Sequence, residues 1–262
     1  MYLPIPPQPS NARAWVAATT AVQAEGGEAH NVIIDIANPV AEDAIDTAII
    51  QAVDAYLRGH NTYSVASVAN TIFPEAILRR HGAADLYDAY HRVLPRMKRI
   101  TRDWGRYFER LTKWTKVRNG HISTINPLQD LITFMQAQLA GDRTYRNVYE
   151  VTIYDPTRDA GKISNRQCLS FLSFKLTPDH RLLLTAVYRN HAYISRGLGN
   201  FIGLGRLQAF IAQQSGATLG SLTCVSTHAE IDHFRNNRNG TIEGWSKREG
   251  DEIVRACKQL GQ

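Results

Sequence analysis

The stretch Gln167-Cys168-Leu169-Ser170-Phe171-Leu172-Ser173-Phe174-Lys175-Leu176 runs into Thr177-Pro178-Asp179-His180 and then Arg181-Leu182-Leu183-Leu184-Thr185-Ala186-Val187-Tyr188-Arg189. It reads as two strands, Cys168 to Leu176 and Arg181 to Arg189, joined by a turn built on proline and aspartate. Upstream, Tyr149 to Tyr154 alternates and is stopped by Asp155-Pro156. Downstream come a long apolar helix from Leu198 to Gln214, a strand from Ser221 to Ile231, a polar loop from His233 to Asn239, and an amphipathic helix from Glu243 to Leu260.

The first half reads differently. Ser10 is placed to cap a helix through Gln23, ended by Gly26-Gly27. Asn31 to Ile36 reads as a short buried strand. Ala41 to Leu57 has apolar residues at helical spacing, and further helical stretches cover Val65 to Phe73, Glu75 to Met97, and Leu128 to Leu139. Helices come first and strands gather late. The expectation is an α+β chain with a mixed sheet covered by helices, in a single domain over 1–262. Its helical half runs to about residue 147 and its sheet-rich half from about 148.

With 262 residues, 44% hydrophobic and 21% charged, the chain has a globular composition rather than a disordered one. No run approaches a membrane span, and Met1 to Pro7 lacks the basic and apolar regions of a signal peptide. The net charge of +6 suits an anionic partner, but the basic residues read as spread along the chain, so no nucleic-acid surface is expected. Three widely spaced cysteines, Cys168, Cys224 and Cys257, argue against a disulfide framework and a zinc site. A reduced, cytoplasmic protein without metal is the expectation.

Two motifs need weighing. The run Gly197-Leu198-Gly199-Asn200-Phe201-Ile202-Gly203-Leu204-Gly205 does not match a dinucleotide loop cleanly and lacks a βαβ context. Close packing of a buried helix on a sheet explains it better. Cys168, His228 and Asp232 supply the residue types of a cysteine hydrolase. Cys168 also has Arg166 two residues before it and Arg189 within reach on the adjoining strand. Such cations favour a thiolate.

Gln167 to Phe174, then Tyr188-Arg189-Asn190-His191, Gly199-Asn200, Ala212-Gln213-Gln214, Gly220 and Ser226-Thr227-His228 resemble, in order and register, the C-terminal half of thymidylate synthases and pyrimidine nucleotide hydroxymethylases. The resemblance spans Tyr149 to Asp232, with a weaker echo at Trp104-Gly105-Arg106-Tyr107. It implies a thymidylate synthase-like fold and a Cys168 nucleophile that adds to C6 of a pyrimidine, so that a methyl or hydroxymethyl group is installed at C5. It implies that Arg189 and Asn190 bind the phosphate, Asn200 the base edge and His228 the sugar. Arg143 or, preferably, Arg146 would reach across a homodimer to the partner's phosphate. Tyr107 would lie in the substrate site. The ligands implied are dUMP, UMP, dCMP or CMP, with 5,10-methylenetetrahydrofolate as one-carbon donor.

Departures from the pattern are specific. Gln167 and Leu169 replace the residues that flank the cysteine, Ala192 an aspartate, and Glu230 a sugar-binding tyrosine. Asn70 stands at the position of the glutamate base, with Glu75 the nearest carboxylate. A nucleotide-binding protein without catalysis is therefore the second reading, and the Cys168–His228 hydrolase the third.

Overall fold

The computed structural model describes residues 2–100, 106–141, 145, 147–163, 166–238 and 240–261. The elements in chain order are β1 (Leu3–Gln8), α1 (Asn11–Ala24), β2 (Glu28–Ile36), α2 (Ala44–Gly59), α3 (Val65–Ile72), α4 (Glu75–Ile100) and α5 (Tyr107–Thr112). A hairpin follows, β3 (Trp114–Arg118) and β4 (His121–Ile125), then α6 (Pro127–Leu139), β5 (Glu150–Thr152) and α7 (Pro156–Asp159). The last third holds β6 (Leu169–Leu176), β7 (Arg181–Tyr188), β8 (His191–Ala192), a π-helical turn (Tyr193–Gly197), α8 (Leu198–Ser215), β9 (Thr218–Glu230), β10 (Phe234–Arg238), β11 (Thr241–Trp245) and α9 (Lys247–Leu260).

The central sheet is mixed and runs β1-β2-β9-β7-β6-β5, with β8 also paired to β9. One face is fully buried through Leu172, Phe174, Leu184, Ala186, Leu222 and Cys224. Helix α8 packs there, and Gln208 Nε2 donates to the carbonyls of Leu182, Gly220 and Ser221 at 2.8, 3.1 and 3.0 Å. On the opposite face the register aligns Phe171, Val187, Val225 and Ile33 in one row and Ser173, Thr185, Thr223 and Asp35 in the next. All of these stay half-exposed.

Ser10 caps α1 as its position predicts, accepting from Arg13 N at 3.3 Å, and its hydroxyl also donates to Asp46 Oδ1 at 2.6 Å. Three expectations need correction, and two further strand segments were not anticipated. Leu3–Gln8 is an edge strand parallel to β2, and with β2 it gives the N-terminal segment a structural share in the sheet. Pro4, Pro6 and Pro7 suit an edge, where a missing N–H costs no ladder bond. The polar loop from His233 is instead the hairpin β10–β11, and the last helix starts at Lys247 rather than Glu243, capped by Ser246. Residues 114–125 form a second hairpin that sequence periodicity did not reveal. Finally, the glycine face of α8 packs on a helix, not on the sheet. A Cβ on Gly199 would lie 2.6 Å from Val68 Cβ and one on Gly203 2.7 Å from the Ala69 carbonyl, both on α3.

Candidate functional site

Cys168 lies immediately before β6, beside the end of β7. Arg189 N donates to the Cys168 carbonyl at 2.9 Å. A register shift between Leu169 and Phe171 marks a bulge directly after the cysteine, a device that re-aims neighbouring side chains. The Arg189 guanidinium is fastened to the same segment: Nε donates to the Gln167 carbonyl at 3.0 Å and Nη2 to that of Arg166 at 3.4 Å. Tyr107, on α5, closes the site from the other side, where its hydroxyl accepts from Leu169 N at 3.4 Å.

Burial pushes the Cys168 thiol above its ordinary pKa. Arg189, then Arg196, pull it back, Glu230 adds to the rise, and Arg166 opposes it. Three cations and one carboxylate thus act on this sulfur. Arg166, Arg189 and Arg196 have no ion-pair partner among the described residues. Tyr107 is held as the neutral phenol by burial and by the nearby Cys168. Cys224 and Cys257 are buried, and burial raises each thiol to about 12. They are inert by comparison.

Glu230 ends β9 beside Ala192. Asn190 Nδ2 donates to Glu230 Oε1 at 3.2 Å, and His228 Nδ1 donates to Asn190 Oδ1. The chain His228–Asn190–Glu230 thereby joins three of the residues singled out in the sequence. His228 Nε2 faces Glu28 Oε2 at 3.8 Å.

Asn200 sits inside α8, nearly fully buried, and its Nδ2 donates to His191 Nε2 at 3.0 Å. That contact makes Nε2 the acceptor, so His191 Nδ1 donates to Ser226 Oγ, 2.9 Å away. His191 stacks on Tyr188 with ring centroids 4.0 Å apart, and burial lowers its pKa to about 3. Among the described residues the Tyr188 hydroxyl is buried without a hydrogen-bond partner, as are Gln167 Nε2 and Asn70 Oδ1.

The structure separates other candidates. Glu75 is paired with Arg206 Nη2 at 3.0 Å and is not among the groups acting on Cys168. Asp232 does not orient His228. Its carboxylate accepts from Ile194 N at 2.7 Å and Ser195 N at 3.2 Å and so caps the π-helical turn. The Cys168–His228–Asp232 arrangement of a hydrolase is therefore not assembled. Arg143, Arg146 and Trp104 lie outside the described residues.

Arg196 is the charged residue that sequence reading missed. It is exposed on the π-helical turn with its guanidinium 5.0 Å from the Tyr63 ring centre. Its spacing of four residues before Asn200 was the available signal, since residues four apart share a helical face.

A cavity of about 360 Å³ opens beside Glu230, lined by Glu25, Gly26, Gly27, Glu28, Ile231, His233 and Lys247. Among the described residues no helix is long and apolar enough to cross a membrane, and no cluster of side chains is arranged to hold a metal ion.

No family model matches the chain. Three curated proteins named "Putative thymidylate synthase" do. The one from Methanococcoides burtonii is 29% identical over 116 residues, covering 44% of this chain and 52% of the relative. That from Methanosarcina mazei is 28% identical over 139 residues, 53% and 58% of the two chains. That from Methanosarcina barkeri is 27% identical over 116 residues, 44% and 52%. The chain spans about half the length of the curated relatives it matches.

Proposed function

We propose that this chain, a divergent relative of thymidylate synthase-like proteins, binds a pyrimidine nucleoside monophosphate and transfers a one-carbon group to C5 through Cys168. The observation that carries the reading is the Arg189 guanidinium, hydrogen-bonded to the Gln167 and Arg166 carbonyls beside the partly exposed Cys168, whose carbonyl accepts from Arg189 N. Arginine forks suit a phosphate, two of whose anionic oxygens accept a pair of parallel N–H bonds.

The steps follow from these groups. The Cys168 thiolate adds to C6 and the electron pair moves through C5 and C4 to the exocyclic carbonyl oxygen O4. C5 is now nucleophilic and attacks a one-carbon electrophile. The C5 proton passes to Glu230, and loss of the carrier amine leaves an exocyclic methylene on C5. Addition of hydride or of water there re-forms the enolate, and its collapse expels Cys168 and restores the C5–C6 double bond. Glu230 takes this role because Glu75 is occupied by Arg206 and Asn70 carries no carboxylate. Asn190 and His228 hold Glu230 in place.

Among the described residues no protein group donates to the Asn200 amide oxygen, while Nδ2 serves His191. An acceptor oxygen suits the N3–H of uracil and repels the N3 lone pair of cytosine. Uracil is therefore the base we assign. The cavity beside Glu230 fits a reduced folate: Glu25 and Glu28 suit pteridine N–H groups, and Lys247 suits a glutamyl carboxylate. 5,10-Methylenetetrahydrofolate, when bound, supplies the one-carbon unit and, for a methyl product, a hydride. The half-exposed rows on the open sheet face supply the surface for a homodimer.

A second reading, nucleotide binding without chemistry, is favoured by the raised pKa of the resting thiol. Calorimetric titration with dUMP, UMP, dCMP and CMP tests the binding part shared by both. Uridine nucleotides are expected to bind more tightly than cytidine nucleotides. Arg189→Met is expected to weaken them roughly ten- to hundredfold, the worth of a charge-assisted hydrogen bond. Equal affinity for all four bases and no effect of Arg189→Met would remove the assignment.

A further inference from the structure

The net charge is concentrated in one segment. Residues 91–125 contain ten Lys and Arg against two Asp and Glu, a net +8. The remaining residues hold 20 Lys and Arg against 22 Asp and Glu, a net −2. The local excess therefore exceeds the +6 of the whole chain. One of the ten, Arg110, is buried against Asp159. Arg92, Arg96, Lys113, Lys116 and Arg118 are exposed, and none has an ion-pair partner among the described residues.

Arg92 and Arg96 lie on α4, Lys113 follows α5, and Lys116 and Arg118 lie on β3. Arg92 and Arg96 are four residues apart on α4 and share a face. His91 of the same helix has Nε2 3.1 Å from Thr112 Oγ1, at the foot of the hairpin β3–β4, and the Lys113 charge acts on it. The hairpin is anchored by Trp114 Nε1, which donates to the Arg110 carbonyl. Beyond that anchor it stands clear of the body, with every residue from Thr115 to Thr124 exposed. Asn119 and Gly120 both have positive φ, as the tight turn of a two-residue hairpin requires. Cross-strand pairing puts Lys116, Arg118, His121 and Ser123 on one face of the ribbon.

We propose that this ribbon and the adjoining face of α4 bind duplex DNA, with the Lys116–Arg118–His121 face turned into the major groove. A free two-stranded ribbon of five residues per strand is about 17 Å long, and the groove, about 12 Å wide, admits such a ribbon. Arg92, Arg96 and Lys113 then reach flanking phosphates. The deep, narrow major groove of RNA would not accept it. The surface is separate from the nucleotide site and does not depend on the reading given to Cys168.

Fluorescence anisotropy with a labelled duplex about two helical turns long tests this. The full chain is expected to bind, with affinity falling steeply as salt rises from about 0.05 to 0.2 M. The exposed triple variant Lys113→Ala, Lys116→Ala, Arg118→Ala is expected to melt at the unchanged temperature. It should bind about tenfold or more weakly and lower the salt slope by about 0.9, the worth of the one phosphate contact made by Lys113. Arg92→Ala with Arg96→Ala should lower the slope by about 1.8 on the same basis. Cys168→Ser should bind DNA like the wild type. Equal DNA binding by the triple variant, preference for single-stranded RNA or for phosphatidylserine vesicles, or self-association abolished by the triple variant without DNA binding would each overturn the proposal.

Discussion

Asp159→Asn removes one half of a buried ion pair that fixes the wall of the site. Arg110 and Asp159 are 2% and 1% exposed. Arg110 Nη2 donates to Asp159 Oδ1 at 2.9 Å, and Nη1 donates to Oδ2 and, at 2.9 Å, to the Ile153 carbonyl. The clamp thus ties α5, which carries Tyr107, to the exit of β5. Leaving the guanidinium buried without its carboxylate is expected to cost about 3–5 kcal/mol. For a chain of this size that lowers Tm by roughly 10 °C. The pair has a pH signature as well. Arg110 holds the Asp159 carboxyl below its ordinary pKa. Its contribution is therefore present above the ordinary carboxylate pKa and is lost as the pH falls through the lowered one. Thermal unfolding followed by circular dichroism, at neutral pH and below pH ~4, reads both effects. The wild type should lose more stability on acidification than Asp159→Asn does. A double Arg110→Met, Asp159→Leu variant should be less damaged than either single change, because neither charge is then stranded. An Asp159→Asn variant within about 0.5 kcal/mol of wild type would refute the reasoning.

Other consequences are simpler to read. Gly205→Ala would place a Cβ 2.1 Å from the Pro39 carbonyl oxygen. Overpacking of about 1–3 kcal/mol should exceed the ~1 kcal/mol gain in helix propensity, whereas Gly59→Ala, which meets open space, should not destabilise; urea unfolding distinguishes them. Native protein should expose one reactive thiol to a chromogenic disulfide and denatured protein three. The rate at Cys168 should fall in Arg189→Met and rise in Glu230→Gln, since Arg189 lowers and Glu230 raises its pKa. His191 is buried neutral with a pKa near 3. Its contribution is intact above the unfolded value of about 6.5 and is lost below it at up to ~1.4 kcal/mol per pH unit. His191→Gln should flatten the urea midpoint between pH 6.5 and 4, and an unchanged slope would contradict the assignment.

Where a local rule dominates, the sequence was legible. Ser10 announced its helix because a serine cap acts within one turn. The strands from Leu169 and Arg181 were readable because the turn between them is set by its own residues. Leu3–Gln8 was not, because three prolines mask a strand whose partner, β2, is distant in sequence. The glycines of α8 signalled close approach but not its target, which depends on where α3 lands. At the site, Cys168 and Arg189 are adjacent through strand pairing, which spacing conveys. The charges of Glu230, at the end of β9, and Arg196, on the π-helical turn, act on the same sulfur because β8 pairs with β9 just before that turn, a tertiary arrangement that local spacing does not give for Glu230. The clustering of cations over residues 91–125 was present in the sequence, but its exposure required the free hairpin.

The account rests on a covalent Cys168 adduct that makes the C5 proton exchangeable, with Glu230 accepting it. Release of tritium from C5-labelled uridine nucleotides measures this directly. The wild type should release label, Cys168→Ser should release none while still binding nucleotide, and Glu230→Gln should bind but release label far more slowly. Tight nucleotide binding by the wild type with full retention of tritium, or release that persists in Cys168→Ser, would contradict it.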